Sequence, residues 1–128
     1  MIMKRLVLWA VALLSIVGMQ SCNKDNFGYE KVVEFTADGG TQTVTGTEPI
    51  YELSIANYNG KDEYDDDELD ENESVMTVKF RWLSAVATRH TKTIVITAEP
   101  NTTGKRRVLY VYGDVNNRAA SIKVIQNK

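Results

Sequence analysis

The sequence predicts an all-β fold, a β-sandwich of about seven strands, and three observations lead to it. Apolar side chains recur at every second position over most of the chain from Lys31 onward. Glycine, asparagine, aspartate and proline punctuate these runs at short intervals, and no comparable helical stripe follows the N-terminal segment. Seven short strands call for two layers, because one flat sheet would leave half of its apolar surface in water.

The first element is a leader. Met1 to Arg5 carries two cations, and Leu6 to Gly18 is a thirteen-residue apolar run. As a helix this run would span roughly 20 Å, short of a ~30 Å hydrocarbon core, so residues 1–21 read as a signal peptide rather than a permanent span. The run ends in Met19-Gln20-Ser21-Cys22. A small residue immediately before a cysteine resembles the lipobox of bacterial lipoproteins, in which that cysteine receives diacylglycerol and becomes the new N-terminus. Cys22 is therefore the expected lipid-attachment residue, with palmitate-type acyl chains anchoring the protein to the membrane. Each buried methylene contributes about 0.8 kcal/mol, so two or three chains hold a protein at a bilayer almost permanently. Residues 22–30 read as the lipidated cysteine and a polar, glycine-containing tether. Lys24-Asp25 resembles the charged signal that sends some Bacteroidetes lipoproteins to the cell surface. The expected location is the bacterial outer membrane, lipid-anchored and exposed at the surface.

Residues 31–128 read as the sandwich. Val33 and Phe35 form the inward set of the first strand, and Asp38-Gly39-Gly40 makes a turn whose glycines tolerate positive φ. Thr41, Thr43 and Thr45 alternate with Gln42 and Val44 in the second strand, and Tyr51, Leu53 and Ile55 supply the inward set of the third. Met76, Val78, Phe80 and Trp82 give the cleanest alternation, read as one strand. Lys92 to Ala98, Arg107 to Tyr112 and Ala119 to Gln126 add three β-branched runs, with Ile94, Ile96, Leu109, Val111, Ile122 and Val124 inward. Gly113 to Asn117 reads as the turn between the last two.

Residues 60–74 interrupt this plan as an acidic insertion, with nine carboxylates among the twelve positions Asp62 to Glu73. So many charges belong in water. Without the leader's Lys4 and Arg5 the chain carries 13 basic against 17 acidic residues, which gives no support to a nucleic-acid partner. The body beside the acidic run is basic, so the insertion could steer toward, or dock on, a protein partner. As a calcium loop the run fails, since Glu71 stands where the sharp turn needs glycine. One cysteine and one histidine cannot build a zinc site or a disulfide, and no cofactor is expected.

Taken in order, Phe35 to Val44 (FTADGGTQTV), Trp82-Leu83-Ser84, Asn101 with Arg107 six residues on, and Ile122 to Gln126 (IKVIQ) resemble a BACON domain, a Bacteroidetes-associated carbohydrate-binding module that is often N-terminal. The resemblance covers about residues 31 to 127 and rests on the order and spacing of these motifs. It implies an immunoglobulin-like sandwich in a secreted or surface protein that handles glycans. Where that family has a tryptophan in the third strand, this chain has Tyr51.

Among binding candidates, Tyr110 and Tyr112 share the face opposite Leu109 and Val111, roughly 6.5 to 7 Å apart along the strand. Two readings stay open for them: a platform for a sugar ring, with Tyr58 and Tyr64 as loop contributors, or a cross-strand aromatic pair that stabilises an exposed sheet. Trp82 reads as core, with sugar stacking as the alternative. Asn101 reads as a turn residue, Arg107 as a strand end whose guanidinium reaches a carboxylate or carbonyl, and His90 as a solvated loop residue. Nothing sets serine, histidine and carboxylate in a nucleophile motif, and a run of nine carboxylates cannot hold the fixed pair that glycoside hydrolysis needs. The expectation is a non-enzymatic, membrane-anchored binding domain for extracellular glycan or glycoprotein. The alternative is a protein-interaction or accessory subunit of a cell-envelope complex.

Overall fold

The computed structural model describes residues 26–57, 64–66, 68–69 and 74–128. Strand periodicity is realised almost throughout. Ten strands lie among these residues: β1 Val32–Phe35, β2 Gly40–Thr45, β3 Glu52–Ala56, β4 Tyr64–Asp66, β5 Glu68–Leu69, β6 Val75–Phe80, β7 Leu83–Thr88, β8 Thr93–Ala98, β9 Arg107–Val115 and β10 Arg118–Gln126. They form two five-stranded sheets, A in the order β1-β10-β9-β3-β4 and B in the order β2-β8-β7-β6-β5. All neighbours are antiparallel except β1, which runs parallel to β10 at the edge of sheet A. The all-β sandwich is thus observed, with no α-helix among the described residues.

The core lies between the sheets. Fourteen of the sixteen side chains expected inward are buried there, so the phase of every anticipated strand is correct. The exceptions are Phe80, partly buried against the core, and Tyr51, which is 38% exposed. Tyr51 precedes β3, and the interior place at this end of the sandwich is taken by Ile50, fully buried. Ile50 is fixed by backbone bonds to the loop after β7, its N–H donating to Thr91 O and its carbonyl accepting from His90 N–H. The larger tyrosine is left outside.

Four further corrections follow from packing. The run Met76 to Trp82 is not one strand: β6 stops at Phe80, Arg81 takes a positive φ of 57°, and Phe80 pairs with Leu83 across the two-residue turn. The chain then returns as β7, an unanticipated strand whose inward residues are Leu83, Ala85 and Ala87 while Val86 faces out. Alanine inside and valine outside leave little polarity contrast to read. Next, β9 continues through Gly113 and Asp114 to Val115, and the turn contracts to Asn116-Asn117. A Cβ on Gly113 would come within 3.0 Å of Ile50, so glycine here makes room for the core rather than a turn.

The acidic insertion also differs from a plain solvated loop. Within it, β4 pairs with β3 and β5 with β6, so this one segment supplies an edge strand to each sheet. Lastly, residues 26–30 are not tether. Tyr29 is fully buried, with its hydroxyl donating to Glu48 O at 2.9 Å, and its ring fills the space beside Gly46 where a Cβ would stand. Asn26 is 6% exposed and bonds both backbone groups of Ser121. Cys22, Tyr58, residues 1–21 and most of the acidic run lie outside the described residues.

Candidate functional site

Strand register assembles the outer face of sheet A. Along β9 the outward positions are Val108, Tyr110, Tyr112 and Asp114, because Leu109, Val111 and Val115 are committed to the core. Tyr110 stands between Lys123 of β10 and Ala56 of β3, and Tyr112 between Ser121 and Ser54. The two tyrosine rings are near-parallel, with centroids 6.5 Å apart and planes at 21°. Both are half-buried. Burial pushes the Tyr112 phenol up; a hydrogen bond with the Ser121 side chain opposes this, and Tyr110 adds to the rise. The raised Tyr112 hydroxyl keeps its proton at neutral pH and can donate as well as accept a hydrogen bond.

Tyr64, expected in a loop, lies in β4 at the register position beside Ala56, with Asp66 beside Ser54. At roughly 4.8 Å per strand, the backbone of Tyr64 lies about 10 Å from that of Tyr110 across the sheet.

Sequence reasoning missed a second feature. Where β3 begins and the β9–β10 turn closes, Tyr51, Glu52, Asp114, Asn116, Asn117 and Arg118 line an open depression of about 440 Å³. Glu52 and Asp114 are directly opposed across the β3–β9 ladder. The Tyr51 ring meets His90 edge-on, at 4.8 Å and 67°, and the Arg118 guanidinium lies 5.2 Å from the centre of the Phe27 ring. His90 is exposed in the β7–β8 turn, with a positive φ of 67°. The only advance signal for this depression was Asn116-Asn117, a turn pair between two long strands.

The opposite end of the sandwich is closed by a polar cluster. Trp82 is only 8% exposed and lies under the Arg107 guanidinium, 4.6 Å from the ring centre, which leaves no open face for a sugar. Arg107 Nε donates to Gln126 Oε1 at 2.8 Å, and Nη2 reaches the carbonyls of Glu99 and Pro100. Burial pulls the Arg107 pKa down while Glu99 pushes it back up. Gln126, fully buried, also donates to Glu99 O and Thr36 O. Phase alone would have found it, since Ile122, Val124 and Gln126 share one face. Asn101 binds its own loop as expected, donating to Lys105 O at 2.8 Å and accepting from the Thr103 hydroxyl at 2.6 Å.

The outer face of sheet B is nearly uncharged. Thr41, Thr97 and Ser84 occupy one cross-strand row and Thr43, Val95 and Val86 the next, with the hydroxyls of Thr41 and Thr97 3.0 Å apart. Lys79, outward on β6, pairs with Glu99 at 2.9 Å.

Among the described residues no group of three or more histidine, cysteine, aspartate or glutamate side chains could hold a metal ion. No helix among them is long and apolar enough to cross a membrane. No family model matches the chain, and no curated protein matches it. The solved structures similar to this chain include the following two. One is a Bacteroides ovatus GH5 xyloglucanase in complex with a XXXG heptasaccharide, at 21% identity and a TM-score of 0.48 over 76% of this chain. The chain spans 17% of that enzyme's length. The other is an NMR structure of a protein from Bacteroides thetaiotaomicron, at 12% identity and a TM-score of 0.48 over 76% of this chain and 75% of that one.

Proposed function

We propose that the chain is a non-catalytic binding domain of the bacterial cell envelope, held at the outer membrane by lipid on Cys22, that captures extracellular glycan or glycoprotein on the outer face of sheet A. The observation that carries this reading is the near-parallel Tyr110–Tyr112 pair. Ring faces complement the apolar face of a pyranose, and the hydroxyls remain to bond the sugar's own. Lys123, Ser121 and Ser54 flank the rings with further polar groups. The ordered BACON-like motifs support the same reading, as does the lipobox-like Ser21-Cys22 after an apolar leader.

A glycan array probed with the lipid-free domain tests it. The unmodified domain binds neutral glycans, and replacing Tyr110 and Tyr112 together by alanine lowers affinity about tenfold or more, a factor of ten being 1.4 kcal/mol. Binding that survives the double substitution unchanged rejects this face.

A second reading, an accessory subunit that docks a protein, is favoured by the acidic strands β4 and β5 at the sheet edges and by the nearly uncharged outer face of sheet B. Charge contributes little to a neutral sugar but steers a protein partner. Capture that disappears in moderate salt assigns the partner to the protein class, while stacking on a neutral glycan persists.

A further inference from the structure

We propose that the end of the sandwich carrying the Asn116-Asn117 turn is the surface apposed to the bilayer. This rests on the lipid-anchored reading above and adds an orientation to it.

The chain enters the fold at a fixed point. Asn26 grips β10 through a pair of bonds, accepting from Ser121 N–H at 2.8 Å and donating to Ser121 O at 2.9 Å. Phe27 O accepts from Thr47 N–H at 2.7 Å, and Tyr29 is locked in the core. Ser121 stands three residues, about 10 Å, into β10 from its Asn116-Asn117 end, and Thr47 lies on the loop between β2 and β3 at that same end.

Between Cys22 and Asn26 stand only Asn23, Lys24 and Asp25. Four Cα steps reach at most about 14 Å when fully extended. A headgroup layer of about 5 to 7 Å takes up part of that reach, so Asn26 is confined to within roughly 10 Å of the lipid surface. From Ser121 to Gln126 the β10 strand runs about 17 Å further toward the opposite end. For that end to stand on the bilayer, the link would have to exceed its covalent length.

The opposite end is the one charge alone would choose. Arg81, Lys105, Arg106 and Lys128 are exposed there, and cations are attracted to anionic lipid. Covalent reach overrides that attraction, because no side-chain interaction lengthens the link. The apposed end instead offers chemistry suited to the water–lipid boundary: the Tyr51 ring, and Arg118 against Phe27. The Tyr110–Tyr112 strip then stands on the flank, open sideways, and the depression lined by Tyr51 and Arg118 opens toward the headgroups.

Depth-dependent quenching tests the orientation on the full lipidated chain, reconstituted in phosphatidylethanolamine–phosphatidylglycerol vesicles containing a nitroxide-headgroup lipid. A fluorophore is placed on Asn117→Cys at the near end or on Thr102→Cys at the far end, both exposed positions. Quenching several-fold stronger at position 117 than at 102, and insensitive to salt, is the expected result. Equal quenching, which a domain lying flat would give, or stronger quenching at 102 overturns the orientation. Mass spectrometry of the same preparation separates the two levels. Lipid on Cys22 with equal quenching defeats the orientation alone, whereas an unmodified Cys22 removes the anchor and the orientation with it.

Discussion

Gly46 shows how much one hydrogen atom in place of a side chain decides. The ring of Tyr29 occupies the position a Cβ would take, and that ring is fully buried with its hydroxyl tied to Glu48 O. Gly46→Ala should therefore destabilise the domain by about 1 to 3 kcal/mol through overpacking, measured by urea denaturation. The same substitution at Gly40, where nothing lies within 4 Å, meets no neighbour, and any cost there comes from its φ of 135° alone. Gly46 has no positive φ, so a Gly46→Ala variant as stable as the unmodified domain would show that the Tyr29 contact yields without cost. Nothing in the sequence flagged Tyr29: it follows Gly28 in a polar octet, and only the tertiary fold brings Gly46 to its ring.

At the scale of elements, the acidic insertion is a device for closing sheets. Without β4 and β5, the rows of N–H and C=O groups on β3 and β6 would be open templates for another chain. Short strands dense in carboxylates cover those rows while repelling further addition. Replacing Asp65, Asp66 and Glu68 together by serine should leave the fold intact and increase self-association, read by sedimentation velocity as dimers and larger species at micromolar concentration. A purely monomeric triple variant would show that the charges do not guard the edges. The sequence exposed the charge density of this segment and concealed its pairing, because carboxylates have low strand propensity and the pairing is imposed by the neighbours β3 and β6. β7 was hidden for the opposite reason: its inward alanines are small enough to look indifferent, yet they lie between β8 and β6 in the middle of sheet B.

For the molecule as a whole, stability depends on groups that fold into the interior in their neutral form. Burial pushes the Tyr29 phenol up to about 12 from an ordinary value near 10, and Tyr112 shifts in the same direction. A phenol with a raised folded-state pKa contributes fully below its unfolded value and loses that contribution as pH rises to the folded one. For Tyr29 the unfolding free energy should thus be flat from neutral pH to about 9 and fall between pH 10 and 12, by at most roughly 1.4 kcal/mol per pH unit. Tyr29→Phe should flatten most of that fall; an unchanged profile would assign it to other groups.

Alternation of side-chain character over five to nine residues was enough to determine the fold class, the phase of seven strands, the turn at Gly39-Gly40, the structural roles of Asn101 and Arg107, and the outward pairing of Tyr110 with Tyr112. Each of these depends on neighbours in sequence or on the two faces of one strand. Tertiary structure alone decided that Ile50 displaces Tyr51 from the core, that Asn26 and Tyr29 belong to the domain, that the acidic segment supplies an edge to both sheets, and that Tyr51, Glu52 and Arg118 meet around one depression. These outcomes rest on which distant segments compete for the same interior space, and periodicity along a chain carries no record of that competition.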